Sequence, residues 1–269
     1  MPTISVVMGI YNCAKTLEEA VNCIINQTYT DWELIMCDDC STDETYAVAE
    51  SLAQRDERIV LLKNEKNLTL APTLNKCISY AKGRYIARMD GDDLCKADRF
   101  EKELAILENN PQIAVVGCNM DLFDENGVYR TIYYNENPTL VNLVKTSQFC
   151  HASCIMRAEV IKELNGYDVS DKCKRVEDYD LWVRLYAAGY KGYNIQESLY
   201  LMRDDRNSKK RRSLKNRVNE CGVMKRAFKL AKMPFYKYPF VYVPIIKFFT
   251  PNFIYKIAHK KKKKNLKEG

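Results

Sequence analysis

Glycine and proline are scarce in this sequence, at 10 and 8 of 269 residues. That shortage excludes collagen and low-complexity linkers as descriptions of the whole chain. No run of about 18 residues is free enough of charge to be read as a membrane-crossing helix. The opening Met1-Pro2-Thr3-Ile4-Ser5 has neither the basic nor the apolar region of a secretory leader, so the sequons at Asn26 and Asn67 are expected to stay unmodified. A G-x-G-x-x-G turn is absent as well, which excludes the usual Rossmann grip on a dinucleotide pyrophosphate. There is no internal repeat.

What is present is apolar matter, cysteine and unevenly placed charge. With 46% hydrophobic residues the chain has enough to bury for one large domain, alone or with a small appendage, so wholesale disorder is excluded. The 11 cysteines are odd in number and scattered through strand-like and helix-like runs, which reads as reduced cytosolic thiols. Cys37 and Cys40 with Cys150 and Cys154 have zinc-like spacing, but thiols at the end of a buried strand are better read as small packed hydrophobes. Residues 1–202 carry 21 basic and 31 acidic side chains, whereas residues 203–269 carry 21 and 4. An acidic body with a basic tail puts any anion-seeking surface at the C-terminus.

Residues 3–10 form a continuous apolar run suited to a buried parallel strand, and Leu17, Ala20, Val21, Ile24 and Ile25 then recur at helical spacing. A second strand follows over 32–37. Ser41 with Glu44 reads as a capping box opening the next helix. Strands over 58–62 and 84–89, with a helix around 74–81 between them, complete a βαβαβαβ rhythm. That rhythm implies a parallel sheet covered by helices, with a ligand crevice at the carboxyl ends of the strands. The runs 113–123 and 128–134, joined by Asp124-Glu125-Asn126-Gly127, read as a hairpin appended to the sheet. Beyond it a strand over 152–156, a helix over 176–188 and a strand over 193–202 are expected.

Three acidic clusters fall on this frame. Asp90-Gly91-Asp92-Asp93 crowds three carboxylates at the exit of a strand, and such mutual repulsion is economically explained by an intended cation, the alternative being an ordinary solvated Asp/Gly turn. A calcium EF-hand fails, because Leu94 and Cys95 occupy its ligand and glycine positions. Asp38-Asp39 lies at the exit of the second strand, where a carboxylate can accept from a base or a ribose, or simply favour a helix start. Glu177-Asp178-Tyr179-Asp180 opens a helix, either to complement its dipole or to offer a general base.

In this order the clusters resemble family 2 glycosyltransferases, inverting enzymes of the GT-A fold that use nucleotide-activated sugars. The resemblance covers roughly residues 3–205 and extends to Ser5-Val6-Val7-Met8-Gly9-Ile10-Tyr11-Asn12, to Asn26-Gln27-Thr28-Tyr29 and to Trp32-Glu33-Leu34-Ile35. Asp38-Asp39-Cys40-Ser41-Thr42-Asp43 is similar to the family's D-D-x-S-x-D segment, with Cys40 where glycine is usual. The resemblance implies an α/β fold with a Rossmann-like nucleotide-binding half, a mixed sheet and an acceptor-side hairpin. It implies that Ile10, Tyr11, Asn12, Asp39, Asp90 and Arg203 meet the nucleotide: Tyr11 flanks the base, Asp39 accepts from uracil and Asp90 reaches the ribose. Asp92 would ligate Mg²⁺ or Mn²⁺ on the diphosphate, and Asp205, standing where the family often has histidine, would join it as a hard ligand. Asp178 would be the base for a single displacement with inversion. Asp93, His151 and Glu177 would lie on the side of the transferred sugar and the acceptor. The Q-x-x-R-W of processive synthases is missing, which points to one sugar added per visit.

Residues 1–205 are therefore expected to be the catalytic domain, and residues 206–269 a basic, aromatic extension. Lys209-Lys210-Arg211-Arg212, the aromatic stretch 233–255 and Lys260 to Lys264 suit an anionic membrane surface, or else a helical subdomain packed on the core. No nucleic-acid module is recognised, so no nucleic-acid partner is expected. The expected protein takes a UDP-sugar donor, acts on a lipid-linked or oligosaccharide acceptor in surface polysaccharide assembly, and sits at the cytoplasmic face of the cell membrane. A nucleotidyltransferase and a non-catalytic nucleotide-sugar-binding scaffold are the competing readings.

Overall fold

The structure, a computed structural model, describes residues 1–204 and 213–250. The first strand, β1 (Ile4–Ile10), is buried on both faces, as its unbroken apolar run requires. It is followed by α1 (Leu17–Ile25), β2 (Trp32–Asp38), α2 (Thr45–Arg55), β3 (Ile59–Lys63), α3 (Leu70–Tyr80) and β4 (Tyr85–Arg88). These four strands run parallel in the order β3-β2-β1-β4. Alternation along β1 divides the core: Val6 and Met8 pack with Leu17, Ala20, Ala49 and Leu52 of α1 and α2, while Val7 packs with Leu74, Cys77 and Ile78 of α3. The carboxyl ends of β1, β2 and β4 thereby open on one side of the sheet.

The second half turns the sheet mixed. It comprises β5 (Leu94–Cys95), α4 (Arg99–Asn109), β6 (Ile113–Asp124), β7 (Gly127–Ile132), α5 (Leu140–Leu143), β8 (Ile155–Arg157), α6 (Ala158–Glu163), α7 (Glu177–Ala187) and β9 (Lys191–Arg203). β8 is antiparallel to β4 and β6, β9 is parallel to β6, and β7 closes the expected hairpin on β6. Two local expectations change. Residues His151–Ser153 form a 3₁₀ turn, with Ser153 N and Oγ both donating to Cys150 O, so the strand expected over 152–156 begins at Ile155. Ser41 does not cap α2, because its Oγ accepts from Asn12 N and the helix starts at Thr45.

After the sheet, α8 (Leu214–Leu230) is opened by Ser213, whose Oγ accepts from Asn216 N. It buries Val223, Met224, Ala227 and Phe228 in the same core as Leu181 and Trp182 of α7. A 3₁₀ segment (Phe235–Tyr242) and α9 (Val243–Phe249) follow, leaving Phe235, Tyr236, Phe240, Ile246 and Phe249 exposed. Asp205, the basic run at 209–212 and the one at 260–264 lie outside the described residues. No described helix is long and apolar enough to cross a membrane. The cysteines are all free, and Cys37, Cys150 and Cys154 are buried. Among the described residues the cysteines at 37, 40, 150 and 154 form no cluster able to hold a metal.

Candidate active site

At the end of β1 the chain enters a tightly hydrogen-bonded corner. Asn12 has a left-handed backbone, φ 51°, its N–H donates to Ser41 Oγ at 3.1 Å, and its Oδ1 accepts from Thr42 N at 2.9 Å. Cys40 is also left-handed at φ 61°, a conformation that favours glycine, which accounts for glycine being usual in the similar family segment. Buried Asp39 follows β2. Its Oδ1 accepts from Asn64 Nδ2 at 2.9 Å and Leu68 N at 2.7 Å, and its Oδ2 accepts from Thr69 N at 2.8 Å. These bonds fold residues 64–69 over the strand ends and hold Thr69 at φ 73°, an outlier for a β-branched residue. The result is a cavity of about 590 Å³ lined by Gly9, Ile10, Tyr11 and Asp39 on one side and by residues 67–73, 168–171, 173–175 and Glu177 on the other. Tyr11 is half exposed at its mouth.

A second cavity, about 890 Å³, lies beside it and is lined by Arg88, Asp90, His151, Glu177, Asp178 and the hairpin residues 132–135, among others. Arg88 is buried, and its Nη1 lies 2.5 Å from Asp90 Oδ2. Burial, then the negative charge of Glu177, pushes the Asp178 carboxyl up to about 6. The nearby His151 ring is held well below its usual pKa by burial and then by the Arg88 charge, so it is a neutral imidazole, its Nε2 2.7 Å from Tyr167 Oη. The acids that open α7 divide by direction. Glu177 and Asp178 face the cavity, whereas Asp180 turns into the core and pairs with Arg184 Nε at 2.7 Å and with Arg226 Nη2. Asp180 also approaches Asp168 and Cys173 closely enough to suggest a metal, but its two arginines already supply the compensating charge.

Asp90, Asp92 and Asp93 each bring a carboxylate oxygen within 4.8 Å of the others. Asp93 is the anchored member: Tyr200 Oη donates to it at 2.9 Å and Arg203 N at 2.7 Å, while burial and its acidic neighbours push it up to about 7. Asp92 reaches solvent and forms no ion pair among the described residues, and its pKa is raised by desolvation and by Asp90. Three carboxylates gathered this closely, with Arg88 paired only to Asp90, form a set of hard oxygens that suits Mg²⁺ or Mn²⁺. Arg203 sits beside this set with its Nε donating to Asp92 O at 2.9 Å, its Nη2 2.6 Å from Glu19 Oε2 and its guanidinium over the Phe123 ring. It lines neither cavity.

Sequence reasoning passed over Arg88, Asn64, Thr69, Tyr167, Arg175 and Tyr200. A lone arginine ending an apolar strand was a signal for Arg88. The others act through partners distant in the chain, or through backbone angles that no residue pattern displays.

The family model Glycosyl transferase family 2 matches residues 5–164. The Putative glycosyltransferase EpsE of Bacillus subtilis (strain 168) is 42% identical over 269 residues, covering 100% of this chain and 97% of that protein. UDP-Glc:alpha-D-GlcNAc-diphosphoundecaprenol beta-1,3-glucosyltransferase WfaP of Escherichia coli is 29% identical over 195 residues, 72% of this chain and 74% of that one. Among solved structures, S. aureus TarS in complex with UDP-GlcNAc superposes with a TM-score of 0.68 at 18% identity, over 84% of this chain and 66% of that one. The mannosyltransferase PcManGT from Pyrobaculum calidifontis, in complex with GDP-Man and Mn²⁺, gives 0.61 at 18% identity, over 89% and 68%. At such identities the structures establish the GT-A fold alone, and the family rests on the sequence matches. With its acidic clusters at the strand ends of that fold, the chain belongs to glycosyl transferase family 2 and is a glycosyltransferase.

Proposed function

We propose that the protein transfers one sugar from a UDP-sugar to a lipid-linked saccharide during assembly of a surface polysaccharide, by single displacement with inversion. The observation that carries this reading is the pair of adjoining cavities, one built round Asp39 and the other round Asp178. In this reading the nucleoside occupies the first cavity, with Asp39 accepting from uracil and Tyr11 against the base. The transferred sugar and the acceptor meet in the second. Asp178, with a pKa of about 6, is ionised at neutral pH and takes the acceptor hydroxyl proton as that oxygen attacks the anomeric carbon. Asp92, with Asp90 and Asp93 beside it, would hold Mg²⁺ or Mn²⁺, which when bound neutralises charge on the departing diphosphate. His151 and Glu177 border the acceptor side.

The UDP donor is supported by the fold shared with TarS, whose structure holds UDP-GlcNAc, and the metal by PcManGT, whose structure holds Mn²⁺. The acceptor is supported by WfaP, whose name specifies a sugar on diphosphoundecaprenol. Such an acceptor lies in a membrane, and exposed Phe235 beside exposed Lys229 and Lys232, with Tyr236, Phe240 and Phe249 also exposed in the same C-terminal segment, suits anionic headgroups. Peripheral attachment, at the cytoplasmic face, is part of this proposal.

Calorimetric titration of the full chain with UDP, with and without Mn²⁺, in wild type and Asp92→Asn, tests the reading. Binding that is strengthened by Mn²⁺ in the wild type and loses that gain in Asp92→Asn is expected. Wild-type protein that ignores UDP in the presence of Mn²⁺ would overturn the UDP-sugar assignment.

A further inference from the structure

A nucleotide sugar is a nucleoside joined to a sugar through a diphosphate. A protein that holds the nucleoside in one cavity and the sugar in the next must therefore meet the diphosphate where the cavities join. Leu70, Arg175 and Glu177 line both cavities. Leu70 is apolar and Glu177 is an acid, so the cation at the junction is Arg175. Building on the donor reading above, we propose that Arg175 binds the donor diphosphate and stabilises the charge that gathers on it during transfer.

The arginine singled out from the sequence, Arg203, has already committed its guanidinium to Glu19 and to the Asp92 carbonyl. Arg175 is exposed and makes no ion pair among the described residues. Its planar fork can donate two parallel N–H bonds to phosphate oxygens. The backbone that presents it is left-handed, φ 68°, a conformation unfavourable for a non-glycine residue, so its surroundings must over-determine it. They do: Asn219 of α8 donates from Nδ2 to Asp171 O at 2.8 Å and to Lys174 O at 3.1 Å, and Val176 N donates to Cys173 O at 3.0 Å. The helix that follows the sheet thus fixes the segment that aims Arg175.

In the transfer step the bond from the anomeric carbon to the diphosphate oxygen breaks, and its electron pair stays on that oxygen. The acceptor oxygen forms the new bond to carbon, and Asp178 receives the acceptor proton. Negative charge therefore grows on the diphosphate beside Arg175, so its hydrogen bonds are stronger in the transition state than in the bound donor.

The test compares wild type, Arg175→Asn and Arg175→Lys. Asparagine removes the charge while tolerating the left-handed backbone, and unchanged melting temperatures report that the fold is kept. With Mn²⁺ constant, UDP and uridine are titrated into each protein by calorimetry, and the KM for a diphospho-lipid acceptor is measured. The expected result is a UDP affinity about ten- to hundredfold lower in Arg175→Asn, uridine affinity unchanged, and partial recovery in Arg175→Lys. Wild-type binding of UDP matched by Arg175→Asn would overturn the proposal and leave the donor reading standing. Unchanged UDP affinity with a raised acceptor KM would overturn it in favour of the acceptor diphosphate. Wild-type protein that binds neither UDP nor uridine would overturn the donor reading and this proposal together.

Discussion

The two cavities are built by opposite means. Around Asp39 the polar groups satisfy one another: the carboxylate accepts three hydrogen bonds, and the loops at Asn12, Ser41 and Thr42 lock together before any ligand arrives. Around Asp178 the groups are held in tension. A carboxylate with a raised pKa, a histidine held neutral and a buried arginine paired with Asp90 face a larger cavity. The difference matches the two tasks proposed for them. Recognition of an invariant base and ribose favours a saturated, preorganised frame, whereas proton transfer needs a group whose charge state is balanced near working pH.

The comparison breaks most visibly at its catalytic end. Asp178→Asn is expected to lower kcat by about 10²–10⁴-fold, the usual contribution of a general base, while UDP affinity stays near the wild-type value. If Asp178 is the base, its deprotonated carboxylate is the active form, and the rate is expected to climb as pH rises through about 6 and to level above it. A pH profile of kcat/KM from pH 4.5 to 8 checks that sign. Asp39→Ala probes the other side. It leaves Asn64, Leu68 N and Thr69 N without their shared acceptor and should weaken UDP binding by about ten- to hundredfold, read by calorimetry.

A smaller effect separates two acids in one helical turn. Asp180→Asn removes the charge shared by Arg184 and Arg226 and is expected to cost about 1–3 kcal/mol of stability, measured by urea unfolding, with the pH profile unmoved. The smallest concerns the left-handed corner: Cys40→Gly should stabilise the protein by roughly 0.5–1 kcal/mol through relief of its φ of 61°, visible as a raised melting temperature.

The sequence displayed the acids at the strand ends better than the second cavity, for a physical reason. Asp38-Asp39 and Asp90 to Asp93 are contiguous, and strand alternation with helical crossovers dictates that they emerge on one side of the sheet. The capping box at Ser41 misled because Asn12, distant in the chain, claims that hydroxyl. In the second cavity Arg88 comes from the end of β4, Asp90 from the loop that follows it, His151 from a 3₁₀ turn, Asp178 from α7 and residues 132–135 from the end of the hairpin, and no local pattern joins them. The α7 acids show the limit most plainly. Glu177, Asp178 and Asp180 look equivalent as text, and only their rotation about the helix sends the first two to the cavity and the third to the core. Arg203 stood out by resemblance, yet its guanidinium faces Glu19, whereas Arg175 reaches the junction through a backbone angle invisible in a residue string.

The division of labour between the cavities is tested most directly by one calorimetric comparison, UDP titrated with Mn²⁺ into wild type, Asp39→Ala and Asp178→Asn. The account predicts a wild-type isotherm for Asp178→Asn and a loss of about ten- to hundredfold in affinity for Asp39→Ala. Equal losses in both variants, or a loss confined to Asp178→Asn, would contradict it.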